Sequence, residues 1–179
     1  MKKLSKQTIN IIRTTQRNNI DLTQLADNKA NVLLSLNALM ITFSLPLIFS
    51  NLEFIVQDYL IIPLVILAIT CFSTIYISAI VLKPSRLDEY RASASDNPDT
   101  QASPFFFGNF YQMPPEDFFA YMDEVVGSSE LVHNHLTQDL YYIGVRLAFK
   151  MNRIRLAFNI FLAGLFLTLL SAGVIIGLT

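Results

Sequence analysis

The sequence predicts an all-α integral membrane protein. It has three transmembrane helices, long helices extending from them into the cytosol, and a small helical cytosolic region. Three observations carry this reading. Apolar residues make up 53% of the 179-residue chain and charged residues 15%, against about 25% charged in an ordinary soluble domain. A core of this size cannot absorb so much apolar surface. Three stretches, 30–52, 59–82 and 156–179, contain no Asp, Glu, Lys or Arg and are each 23 or 24 residues long; a membrane helix needs about 20. Finally, if the chain crosses three times, all thirteen bases fall on one side. The loop 51–58 carries Glu53 and Asp58 and no base. The positive-inside rule makes the basic side cytoplasmic. The N-terminus and residues 83–155 are then inside, and the 51–58 loop and the C-terminus outside.

The elements follow in order. Residues 1–29 read as a cytosolic amphipathic helix. They are polar or amphipathic, and no short basic segment abuts the first apolar stretch, so no secretory signal is read there. Between residue 5 and about residue 50 the first Gly or Pro is Pro46, so one long helix is expected, with transmembrane helix 1 at 30–52. At about 100° per residue, Arg13, Arg17, Gln24, Asp27, Asn31, Ser35, Ala38 and Thr42 share one face. Val32, Leu36, Leu39, Phe43 and Leu47 lie on the other and face lipid. Asn37 and Ser44 form a second small-polar line beside the first. Asp27, Asn31, Ser35, Asn37 and Thr42 together are the expected polar stripe at membrane depth. An unpaired polar group in hydrocarbon costs several kcal/mol. These side chains therefore face other helices, another subunit or water. Interhelical contacts of about 0.6–2 kcal/mol each and a water or ion path are both open readings.

Transmembrane helix 2, 59–82, carries Pro63, Thr70, Ser73, Thr74 and Ser78, whose hydroxyls can bond their own helix. Residues 92–103 are small and polar, as in a flexible connector. Pro115, Glu116 and Asp117 open a helix, with proline in its first turn and acids at its positive end. Gly127 stops it, and Ser128 or Ser129 caps the next. There Leu131, Leu136, Leu140, Ile143, Leu147, Met151 and Ile154 recur at helical spacing. This helix runs into transmembrane helix 3, 156–179. In that span Gly173 and Gly177 make a small-xxx-small pair for close helix contact.

Catalytic signals are missing. The chain has no P-loop, GxGxxG, HExxH or CxxC. His133 and His135 spell the name of a nuclease motif. On a helix, residues two apart point about 200° from each other, so they cannot share a metal. Asp139, four residues after His135, could pair with it. The acids scatter over helix ends and the connector, as on a solvated surface. Cys71 lies in the second span as a small apolar filler and forms no intrachain disulfide. The expectation is a protein that is not an enzyme, with no cofactor, no metal and no nucleic-acid partner. The aromatic run Phe105, Phe106, Phe107, Phe110 and Tyr111 is either the core of the cytosolic part or a stacking surface for a flat ligand. Gly108 implies a tight turn, and Asn109 suits a nucleobase edge.

Three segments resemble a known family. They are "RNNIDLTQLADNKANVLLSLNALMITF" (17–43), "FFFGNF" (105–110) and the long helix into "RLAFNIFLAGLF" (155–166). Together they look like the transmembrane effector family of bacterial Pycsar antiphage systems. The resemblance covers most of the chain and is weakest at 92–103. It implies a partner pyrimidine nucleotide cyclase that makes cyclic CMP or cyclic UMP during infection. It also implies an effector that impairs the bacterial inner membrane, in abortive infection. No run of short alternating strands is visible, so a nucleotide would need a helical site. On this reading Arg13, Arg17 and Lys29 meet phosphate, and Phe106, Phe107, Gly108 and Asn109 hold a base. Copies form a homo-oligomer in the lipid bilayer with the polar stripe inward. The competing readings are a non-catalytic membrane anchor or assembly subunit for a cytosolic enzyme, and a small constitutive channel.

Overall fold

The computed structural model describes residues 6–57, 59–83, 103, 105, 110, 111 and 113–178. Every element among them is a helix, as expected. They are α1 (Lys6–Ser50), α2 (Leu52–Gln57), α3 (Ile61–Leu82), α4 (Pro115–Gly127) and α5 (Ser129–Leu178). Three of these, α1, α3 and α5, are long and apolar enough to cross a membrane.

The long helix expected from residue 5 is α1, 45 residues in one piece with Pro46 inside it. Proline lacks the N–H that would bond four residues back. The Thr42 carbonyl is thus left without its regular donor. The expected loop 51–58 is largely taken up by the short helix α2. Tyr59 follows it at φ 57°; this left-handed conformation is strained for an aromatic residue and turns the chain into α3.

The chain divides into two compact units, residues 24–83 with 149–179, and residues 1–23 with 84–148. The first contains the charge-free stretches. Its core is a stack of layers, each drawing on three helices. One layer joins Ala26 and Ala30 of α1, Val81 of α3 and Ile154 of α5, backed by Leu82 and Met151. The next joins Leu33, Ile77 and Ala157, backed by Ile160 and Phe161. Farther along, α3 and α5 meet at Thr70 and Gly164, where a Cβ on the glycine would overlap the Thr70 side chain. Residue numbers rise along α1 and α5 and fall along α3 from layer to layer. Within this unit α1 and α5 are therefore parallel, and α3 is antiparallel to both. That is the order three crossings require.

The register also aligns the charge boundaries. Ala30, Val81 and Ile154 share a layer, so Lys29, Lys83 and Arg155, the bases next to them in sequence, lie at one end of the three-helix stack. The expected close-contact pair does not operate here. A Cβ on Gly173 or Gly177 would meet nothing within 4 Å, and Gly164 is the glycine that lets helices approach.

In the second unit, α4 begins at Pro115 with Glu116 and Asp117 in its first turn. It ends at Gly127 without a positive-φ glycine. Of the two candidate caps it is Ser128 that acts, its Oγ accepting from the Leu131 amide at 3.4 Å. Phe110 packs on Phe118 with ring centroids 4.7 Å apart, and Val125 is fully buried. Residues 92–102 of the expected connector lie outside the described residues. Ser103, at its end, is buried and donates a hydrogen bond to Asp139 at 2.9 Å, so the connector reading fails at that residue. Asp139 is thus engaged by Ser103, and no His135–Asp139 ion pair forms among the described residues.

Candidate functional site: polar faces of α1 and a cationic cleft

The polar stripe read from the sequence divides into two faces. Ala26, Ala30, Leu33 and Asn37, at four, three and four residues' spacing, are the side chains α1 buries within the three-helix unit. Asn37 is 0% exposed. Its Nδ2 donates to the Leu33 carbonyl at 2.7 Å, and its Oδ1 has no partner among the described residues. Asn37 therefore belongs to the core of the three-helix unit and not to the face of Asn31. Six residues apart on a helix, the two point about 120° away from each other. Asn31, Ser35 and Thr42 are exposed, and none makes a side-chain hydrogen bond among the described residues. Their neighbours behave differently. Ser44 bonds back to Met40 at 2.6 Å, Thr70 to Ile66 at 2.8 Å and Thr74 to Thr70 at 2.7 Å. The expectation that the α3 hydroxyls satisfy themselves holds for the two threonines. The Ser78 hydroxyl is buried without a partner among the described residues. Val32, Leu36, Leu39, Phe43 and Leu47, expected to face lipid, are all exposed.

Asp27 is held by Lys150 of α5 in an ion pair at 2.6 Å, both side chains partly exposed. Beside it, α1 and α5 border an open cleft of about 730 Å³ lined by Asn28, Lys29, Val32, Ile154, Arg155 and Phe158 among others. Among the described residues, two cations and no acid line this cleft.

Of the expected nucleotide-contacting residues, Arg13 and Arg17 are exposed on α1 and Lys29 lies in the cleft. Phe106, Phe107, Gly108 and Asn109 lie outside the described residues. Of the described aromatics of that run, Tyr111 is exposed, Phe110 packs on Phe118, and Phe105 meets the His135 ring edge-on at 6.5 Å, as Tyr121 does at 6.2 Å. His135 is buried, and its Nε2 lies 3.5 Å from the Tyr121 hydroxyl. Burial pushes the His135 imidazole below its ordinary value and the Tyr121 phenol above its own, with Glu124 adding to the latter. Burial likewise raises the Asp139 carboxyl, partly offset by the Ser103 hydrogen bond.

The chain matches the family model for the Pycsar effector protein domain over residues 10–177. It belongs to the Pycsar effector family. The match takes in both units and all three long helices, so the antiphage effector role of the family applies to the chain as a whole. No curated protein and no solved structure matches it. This Pycsar effector is a membrane protein whose described residues carry no group of three or more His, Cys, Asp or Glu able to hold a metal.

Sequence reasoning missed Lys150, Arg155 and Gly164 as site residues of this effector. A signal for the first two was present. Asp27 is the only acid of α1 beyond Asp21, and Lys150 and Arg155 bracket the entry of α5 into its charge-free stretch.

Proposed function

We propose that the protein is the membrane-impairing effector of a cyclic-pyrimidine-nucleotide antiphage system, acting as a homo-oligomer in the bacterial inner membrane. One observation carries this reading. Asn31, Ser35 and Thr42 line one exposed face of a membrane-crossing helix, bonded among the described residues neither to other helices nor to their own backbone. Pro46 also removes the regular donor to the Thr42 carbonyl on that face. Against acyl chains each unsatisfied group costs several kcal/mol. Against a second copy, or against water between copies, the cost disappears.

In this mechanism the polar faces of several α1 helices meet, and cyclic CMP or cyclic UMP made by a partner pyrimidine cyclase biases how they meet. A ligand can do so only through different affinity for the two arrangements. Arg13 and Arg17, exposed on α1, supply charge for its phosphate, and Phe106, Phe107, Gly108 and Asn109 the base contact. The bases at one end of the three-helix stack support a cytoplasmic N-terminus and an outside C-terminus. The chemistry is non-catalytic and uses no cofactor or metal.

The test is depolarisation of cells or reconstituted vesicles on adding cyclic CMP, cyclic UMP or purine controls. Asn31→Leu with Thr42→Val should abolish it and dissociate cross-linkable oligomers, with expression intact. Full depolarisation by that variant rejects the stripe. No permeability change under any nucleotide, with a soluble enzyme co-purifying, supports the anchor reading; constant permeability without nucleotide supports the channel reading.

A further inference from the structure

The cleft between α1 and α5 has a composition the oligomeric stripe does not use. Its charged lining is Lys29 and Arg155, both exposed and neither paired with an acid among the described residues. The nearest acid in sequence, Asp27, is already neutralised by Lys150. Among the described residues the cleft therefore keeps two uncompensated positive charges. The same lining carries Val32 and Phe158, both exposed, over the buried Ile154. The cleft is thus amphipathic along the helix axes. Its bases stand at the start of the charge-free stretches, and its apolar side chains follow three residues later on each helix. At about 1.5 Å per residue that offset is about 4–5 Å, the step from a phosphate to the top of an acyl chain. Asn28 and Asn152 add amide donors at the charged end.

We propose that this cleft holds one anionic phospholipid from the leaflet at that end of the bundle, its phosphate between Lys29 and Arg155 and an acyl chain on Val32 and Phe158. Arginine and lysine together give a fork and a point charge to one phosphate. Basic pockets between membrane helices on the cytoplasmic side suit anionic head groups, and the volume lies in the range of small-ligand sites. A free phosphate would satisfy the bases but leave the apolar half of the cleft unused, which is why a lipid fits better than a soluble anion. The bound lipid would tie α1 to α5 where both enter the membrane.

Full-length protein is purified in mild detergent with defined mixtures of phosphatidylglycerol and phosphatidylcholine, and retained lipid is read by native mass spectrometry. Phosphatidylglycerol should be retained at least tenfold over phosphatidylcholine. Lys29→Gln with Arg155→Gln should remove that preference while helicity stays unchanged, because both side chains are exposed. Lys83→Gln, a base at the same end but outside the cleft, should keep the preference, and Phe158→Ser should weaken retention several-fold. Equal retention of the two lipids overturns the proposal, as does a preference that survives the double variant. Loss on Lys83→Gln equal to that of the double variant means diffuse surface charge, and also overturns it. Displacement of the lipid by millimolar inorganic phosphate or cyclic CMP would give the cleft to a soluble anion instead. The readout is lipid, not depolarisation, so its failure leaves the oligomeric stripe standing, and the reverse.

Discussion

The two units of this effector fill their interiors with different side chains. In residues 24–83 with 149–179, small and polar side chains (Ala26, Ala30, Asn37, Thr74, Ser78 and Ala157) are buried beside the aliphatic Leu33, Ile77, Val81 and Ile154, while Val32, Leu39, Phe43 and Phe166 are exposed. In residues 1–23 with 84–148, the buried and half-buried groups include the rings of Phe105, Phe110, Phe118 and His135 and the side chain of Val125. The difference is one of solvent. Lipid is as apolar as leucine, so a large side chain gains nothing by leaving it, and close approach of backbones decides instead. Water rewards burial of each ring.

The sharpest way to break this comparison is to enlarge the close contact. Gly164→Leu would push into Thr70 across the α3–α5 approach. Overpacking costs about 1–3 kcal/mol, occasionally more, and the top of that range is expected because the obstacle is a buried side chain on a rigid helix. The cost should appear as a shifted midpoint in detergent denaturation followed by far-UV circular dichroism. Gly173→Leu and Gly177→Leu, with open space around them, should shift it little. Equal effects at all three glycines would mean that membrane glycines act through flexibility, and the packing account would fall.

The second prediction sharpens the other side, where ionisable groups are buried among rings. His135 has its imidazole lowered below the ordinary 6.5 by burial. Its contribution to stability is complete above 6.5 and is lost as pH falls through the lowered value, because the unfolded chain takes the proton first. Asp139 is raised above the ordinary 3.8. Its contribution is complete below 3.8 and is lost as pH rises through the raised value. The two trends oppose each other. His135→Phe should flatten the acid-side loss below 6.5, and Asp139→Asn the loss that begins above 3.8. The chain has no tryptophan, so near-UV circular dichroism of tyrosine reports the transition. A wild-type profile unchanged by His135→Phe would show that Tyr121 and Phe105 do not shield the ring.

How much of this was legible beforehand varies with the physics. The three long helices were plain, because charge-free stretches and a helix without Gly or Pro are local facts. The face each helix buries was harder. The series Ala26, Ala30, Leu33, Asn37 was visible as a spacing, but three polar residues at 31, 35 and 42 made a stronger-looking stripe. Only tertiary packing decides which face α3 and α5 take. Gly164 could not be told from Gly173 and Gly177 without knowing where Thr70 stands. Lys150 lies 123 residues from Asp27, and no local pattern joins them. The burial of His135 was not legible, because Tyr121 and Phe105 reach it from other segments.

The smallest expected effect tests whether the junction between the two solvents behaves like either. Asp27 and Lys150 form an ion pair at 2.6 Å with side chains 33% and 21% exposed, a few residues before their helices become charge-free. Water reaching both groups screens the attraction, and exposed pairs give about 0.2–1 kcal/mol in double-mutant cycles. Asp27→Asn, Lys150→Gln and the double variant should therefore yield a coupling of about 1 kcal/mol, shrinking between low and moderate salt as the Debye length shortens. Breaking a pair in a dry interior costs about 3–5 kcal/mol, and a coupling of that size, indifferent to salt, would place Asp27 on the lipid side of the divide. The headgroup zone would then begin before residue 27, and the charge-free stretches would no longer mark where the membrane starts.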